Sequence, residues 1–72
     1  MNLYLNFLLN GQKYFIHHKR IITLLDLIKY LNYENSLIII EVNKKILYEK
    51  TWNNVNIKNN DQIEVITIVG GG

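Results

Sequence analysis

At 72 residues the chain is long enough for one small domain and too short for two. Apolar residues make up 49% and charged residues 19%, which excludes a disordered chain, and the absence of cysteine excludes disulfide staples, thiolate zinc sites and a thiol nucleophile. The net charge of +2 comes from scattered basic residues in runs no longer than two, without the basic stripe and interleaved aromatics that nucleic-acid binding needs.

The first segment, Leu3 to Leu9, alternates: Leu3, Leu5, Phe7 and Leu9 share one face, and Tyr4, Asn6 and Leu8 the other, a strand period. Asn10-Gly11 follows, a dipeptide that tolerates positive φ at both positions and so predicts a tight hairpin. Lys13 to His17 is the returning strand, with Tyr14 and Ile16 on one face. His17 and His18, adjacent, would face opposite sides of a strand and cannot easily chelate one metal; they are read as solvated loop histidines. Met1 to Gln12 is the longest uncharged run, but its Asn2, Asn6, Asn10 and Gln12 make it neither a signal peptide nor a membrane span.

Thr23 is placed to cap a helix, and Asp26 three residues on completes a capping-box pair. Leu24, Leu27, Ile28 and Leu31 recur at i, i+3, i+4 and i+7, one helical face, which leaves Leu25 off that face. Asn32 to Ser36 ends the helix. Leu37 to Val42 is a third strand with Ile38, Ile40 and Val42 on one face. Asn43-Lys44 turns the chain into a short fourth strand, Ile46 to Tyr48. Thr51 to Asn56 reads as irregular. Its Trp52 is expected to be a lid over the core edge rather than a partner anchor. Asn59-Asn60-Asp61 is a tight turn, and Gln62 to Val69 the last strand, with Ile63 and Val65 inward and Glu64 and Ile66 outward. Glu41 and Glu64 are read as unrelated outward residues, with no paired acid and base.

The order is β-β-α-β-β-β. One helix packed across a mixed sheet of about five strands is an economical way to bury a core in so short a chain, and a strand reached after a helix is expected to lie parallel to an earlier one. The fold class is α+β, a β-grasp of the ubiquitin-like kind. Residues 1–69 form the domain and residues 70–72 a flexible glycine tail.

Asn, Lys, Ile and Tyr, with A/T-rich codons, account for 35 of the 72 residues, while Ala and Pro are absent. An A/T-rich genome explains this bias. With no targeting segment recognisable, the expected location is a bacterial cytoplasm, or the plastid stroma if an organelle encodes the chain.

Of four glycines, three are the final residues, Gly70, Gly71 and Gly72, set directly after an apolar strand. A C-terminal carboxylate is a poor electrophile until it is activated, for instance by adenylation, and the activating enzyme must thread the tail through a narrow channel. Glycine has no Cβ, so its backbone enters a tight slot in any φ/ψ and leaves the carbonyl carbon open. The same residues would weaken a strand from within, so their position after it is informative.

The chain resembles the ThiS family, the sulfur carriers of thiamine biosynthesis, from about Phe7 to Gly72. The resemblance begins at Leu9-Asn10-Gly11 and continues through Thr23-Leu24, Asp26-Leu27-Ile28 and Leu31, similar to the family's T-V-x-x-L-L-x-x-L helix. Glu41-Val42-Asn43 with Ile46 resembles its E-V-N-x-x-I segment, and Trp52 stands where the family often has tryptophan. The close is the most specific part: Asp61, Ile63-Glu64-Val65-Ile66, then Val69-Gly70-Gly71-Gly72. Two turns depart from the pattern, with Asn43-Lys44 for the family's N-G and Asn59-Asn60-Asp61 for its D-G-D; asparagine tolerates positive φ, so both turns stay feasible.

The resemblance implies a carrier that is acted upon and is not an enzyme, with no cofactor of its own. A ThiF-type adenylating enzyme with ATP would activate the carboxylate of Gly72. Sulfur relayed from a cysteine desulfurase would replace AMP to give a thiocarboxylate, and thiazole synthase would consume it. Gly70 and Gly71 would supply the slender tail. By alternation Ile66 and Ile68 are the expected partner contacts beside it. Rival readings are a molybdopterin synthase small subunit, a ubiquitin-like modifier and a plain binding module with an inert tail.

Overall fold

The computed structural model describes residues 3–68; the expected tail, Gly70 to Gly72, and the end of the predicted last strand at Val69 lie outside them. The first strand, β1 (Leu3–Leu9), returns through Asn10-Gly11 as β2 (Gln12–His18). Asn10 and Gly11 both have positive φ, 50° and 80°, as the two-residue turn requires. The second strand is longer than the sequence suggests and includes both histidines, which are therefore not loop residues. His17 stacks on Tyr4 with ring centroids 4.5 Å apart, and His18 Nδ1 accepts the Arg20 N–H at 3.2 Å.

The helix, α1 (Leu24–Tyr30), carries the predicted capping box: Thr23 Oγ1 accepts the Asp26 N–H at 3.1 Å, and an Asp26 carboxylate oxygen accepts the Thr23 N–H at 3.0 Å. It ends in a Schellman arrangement. Asn32, at φ 62°, donates to Lys29 O, and Tyr33 donates to Ile28 O. Leu24, Leu27 and Ile28 are buried, each removal from water contributing about 1.5–3 kcal/mol. Leu25, off the main stripe, still packs against the core edge.

A 3₁₀ turn at Asn35–Leu37 takes Leu37 out of the predicted strand, so β3 is Ile38–Val42. After the Asn43-Lys44 turn, β4 is Lys45–Leu47, one residue earlier than predicted and without Tyr48. The segment read as irregular is a second 3₁₀ helix, Glu49–Asn54. It drives Trp52 fully into the core, 2% exposed, with its Nε1–H donating to Leu47 O at 2.9 Å. Trp52 is thus a central core residue, where the sequence suggested a lid. The last strand, β5 (Gln62–Thr67), stops short of the expected end.

The five strands lie in the order β2-β1-β5-β3-β4. The strand reached after the helix is not the one that pairs in parallel. β3 and β5 are antiparallel, and the parallel pair is β1 with β5, through Leu8↔Gln62 and Leu9↔Ile63. The final strand therefore occupies the centre of the sheet. Phe7, Leu9, Ile38, Ile40, Ile63 and Val65 face the helix, and Trp52 and Ile57 belong to the same buried core. Hydrogen bonds Leu24 N–H to Val55 O (2.7 Å) and Ile57 N–H to Ile22 O (2.9 Å) tie the entry of α1 to the chain that leads into β5.

Candidate functional site

In the sequence, β5 is followed by Ile68, Val69 and then the glycine triplet. The two sides of β5 are held differently. β3 pairs with it along its whole length, and Ile68 N–H still donates to Leu37 O at 2.6 Å. On the other side β1 has already turned away, and the Asn10 side chain takes its place: Oδ1 accepts the Val65 N–H at 2.8 Å. A conformational turn residue thus also fixes the exit strand.

The start of β5 is fixed by a second side-chain network. Asp61, 8% exposed, accepts the Lys58 N–H at 2.8 Å and the Asn43 Nδ2–H at 2.9 Å, while Asn43 Oδ1 accepts the Gln62 N–H at 2.9 Å. Both departures from the family pattern thus keep their geometry. Asn43 and Lys44 sit at φ 53° and 71°, and Asn60 at 71°. Asn59 Oδ1 accepts the Asn6 N–H at 2.9 Å, anchoring the same loop to β1.

Ile66 and Ile68, expected to face outward, do so, at 47% and 45% exposed. The register sets Ile39 opposite Ile66 and leaves Leu37 beside Ile68; Ile46 stands across β3, opposite Glu41. Leu37, Ile39 and Ile46 are themselves 46%, 37% and 59% exposed. The two predicted contacts therefore belong to a wider apolar surface on the sheet face away from the helix, beside the tail's point of departure. Exposed isoleucines taken singly are ordinary; here Ile66, Ile39 and Ile46 lie on three neighbouring strands. Sequence reasoning missed the β3 and β4 members. Their signal was the apolar residues between the inward ones, readable only once the strand pairing is known.

The same register sets Glu41 directly opposite Glu64. The two carboxylates read as unrelated are cross-strand neighbours at the border of the apolar surface. Among the described residues no cluster of three or more metal-ligating side chains occurs and no helix is long and apolar enough to cross a membrane.

The sequence model of the ThiS family matches residues 7–72, the glycine triplet included. The chain is 44% identical over 66 residues to the protein ycf40 of Trieres chinensis, covering 92% of this chain and 88% of that one. It is 36% identical over 50 residues to the sulfur carrier protein ThiS of Bacillus subtilis, covering 69% of this chain and 76% of that protein. The fold superposes on the crystal structure of the thiamine biosynthesis protein ThiS from Geobacter metallireducens with a TM-score of 0.81, at 20% identity over 94% of this chain and 100% of that one. The chain belongs to the ThiS family: it is a small sulfur carrier of the ubiquitin-like β-grasp fold, acted on by partner enzymes and not itself a catalyst.

Proposed function

We propose that the chain carries sulfur for thiazole formation in thiamine biosynthesis, as a thiocarboxylate on Gly72. A carboxylate oxygen of Gly72 attacks the α-phosphorus of ATP on a ThiF-type enzyme and pyrophosphate leaves. Persulfide sulfur from a cysteine desulfurase, released as hydrosulfide by thiols that are oxidised to a disulfide, then attacks the carbonyl carbon and AMP leaves. The resulting thiocarboxylate is delivered to thiazole synthase. The observation that carries this reading is the glycine triplet, two residues beyond β5, inside the family match that runs to Gly72. Gly70 and Gly71 give a tail with no side chain to obstruct a narrow channel.

The apolar surface beside the tail is the docking face in this reading. Ile66 and Ile68 contact the partner, together with Leu37, Ile39 and Ile46. Apolar side chains clustered around one point are the usual source of binding energy in such interfaces. The A/T-rich composition and the ycf40 relatives favour a plastid stroma over a bacterial cytoplasm as the site of action.

The test is the intact mass of the chain after incubation with ATP, a ThiF-type enzyme and a sulfur source. The expected result is exchange of one oxygen for sulfur, abolished by deletion of Gly72 and strongly reduced in an Ile39→Asp/Ile66→Asp variant that keeps its fold. An unchanged mass, under conditions that convert the Bacillus subtilis carrier, rejects the proposal. Conversion followed by consumption only by a molybdopterin synthase, and not by thiazole synthase, would move the chain to the molybdopterin branch.

A further inference from the structure

The opposite edge of the sheet carries a second surface, unrelated to the tail. Leu8 and Asn10 donate their N–H groups to Asp61 O and Ile63 O on the β5 side, both at 2.9 Å. The odd-numbered residues of β1 therefore bond to β2, where Leu5, Phe7 and Leu9 stand opposite Ile16, Tyr14 and Gln12. It follows that the main-chain groups of Lys13, Phe15 and His17 point away from the sheet. β2 is an outermost strand of seven residues with no proline, a ready template for one more strand.

Behind this edge, between the end of β2 and α1, lies a groove of about 480 Å³. Ile16, Ile22 and Leu27 give it an apolar lining, the exposed Tyr30 borders it, and His17, His18, Arg20 and Lys29 line it with them. The one carboxylate there, Asp26, is already engaged by the Thr23 cap and by Arg20 at 3.3 Å. Lys13 and Lys19 flank the two ends of the strand, so edge and groove together are cationic. Because β2 runs antiparallel to β1, and β1 parallel to β5, the groove lies at the end of the sheet opposite to the departing tail.

We propose that the β2 edge and this groove bind an extended acidic segment of a partner protein by strand addition. Its main chain pairs with Lys13, Phe15 and His17. Its alternate apolar side chains enter the groove over Ile16 and Leu27, and its acidic residues meet Lys13 at one end and Lys19, Arg20 and Lys29 at the other. This is the β-augmentation mode, in which backbone bonds supply affinity and alternate side chains supply selectivity. Charge selects the occupant. A second copy paired antiparallel about Phe15 would set Lys13 against His17 and bring two cationic edges together, whereas an acidic strand is attracted.

The probe is a synthetic peptide, acetyl-Glu-Ile-Val-Ile-Asp-Asp-Glu-amide, titrated into the full ¹⁵N-labelled chain. The expected result is chemical-shift change over β2 and Leu27 to Tyr30, with slowed amide exchange at Lys13, Phe15 and His17. A Lys13→Glu/Lys29→Glu variant, whose unperturbed residues report an intact fold, should weaken binding about tenfold. The same peptide N-methylated at alternate positions should not bind. The proposal is overturned by an absent response at millimolar peptide, by shifts centred on Ile39 and Ile66, or by equal binding of the N-methylated peptide. An unchanged affinity in the double variant also overturns it, as does a concentration-dependent dimer that protects the same three amides without peptide.

Discussion

Replacing Asp61 tests whether the exit strand is positioned by side-chain hydrogen bonds as well as by sheet pairing. Both carboxylate oxygens are used, one by Lys58 N–H and one by the Asn43 amide, and the side chain is nearly buried. A hydrogen bond to a charged acceptor contributes about 1.5–3 kcal/mol. Lys58 is exposed, so its N–H regains water in an Asp61→Ala variant; the Asn43 amide regains less. The net loss is then about 3 kcal/mol, a large part of the roughly 4–11 kcal/mol expected for a domain of this length. The corresponding fall in Tm is about 12–24 °C. Asp61→Asn keeps the shape and one acceptor but turns an amide donor toward another donor, and should lose about half as much. Urea unfolding is followed by the fluorescence of Trp52, the sole and buried tryptophan. Asn43→Gly, which suits φ 53° and removes only the side chain, completes a double-mutant cycle with Asp61→Ala. Because the two residues share a bond, their effects should fall short of additivity by about 1 kcal/mol. A loss under about 1 kcal/mol for Asp61→Ala, or strict additivity in the cycle, refutes the reasoning.

Lys44 is held at φ 71°, a region that disfavours residues with a Cβ, so Lys44→Gly should raise stability by about 0.5–1 kcal/mol in the same urea assay. Glu41 and Glu64 are directly opposed, and Glu64→Thr should stabilise the chain by about 0.2–1 kcal/mol, an effect that shrinks in high salt. The Thr23 N–H, chiefly, lowers the pKa of Asp26 below its ordinary 3.8, against the opposing pull of burial; the Thr23 side chain and Arg20 add to the lowering. A depressed folded-state pKa means stabilisation that is complete above the unfolded value and lost as pH falls through the folded one. The Tm advantage of the wild-type chain over Asp26→Asn should therefore be flat near neutral pH and shrink below about pH 4, and a constant difference down to about pH 2.5 would remove the capping box as its cause.

The features legible in the sequence were those written in neighbouring residues. Thr23 with Asp26, Asn10-Gly11, and the alternation from Leu3 to Leu9 each specify geometry within two to seven positions. What depended on register was hidden. The run Ile38-Ile39-Ile40 has no alternation of polarity, so nothing local says that Ile39 faces outward; only pairing with Ile66 places it. The same holds for Glu41 against Glu64, forty-odd dihedral choices apart in the chain but adjacent in the sheet. The predicted returning strand stops at His17, and the two adjacent histidines give no apolar alternation that would carry it on to His18. In the sheet the edge strand simply continues, with Tyr4 stacked on His17 in place of apolar burial. The sequence also offered no sign that β5, the last element, would occupy the centre of the sheet.

The distribution of glycine and asparagine bears on the tail. Among the described residues, four of the five non-glycine positions with positive φ are asparagines: Asn10, Asn32, Asn43 and Asn60. Asparagine is the best substitute for glycine there, and two of these side chains do more than tolerate the turn, since Asn10 and Asn43 each accept a backbone N–H of β5. Among the described residues the chain thus meets most of its left-handed turns without glycine, with Gly11 alone serving the hairpin. Against that background three consecutive glycines at residues 70–72 are not explained by a need for positive φ, which asparagine satisfies elsewhere in the same molecule. The property asparagine lacks is a bare Cα. Under the proposed function, a bare Cα at three successive positions suits passage of the Gly72 carboxylate through a narrow channel.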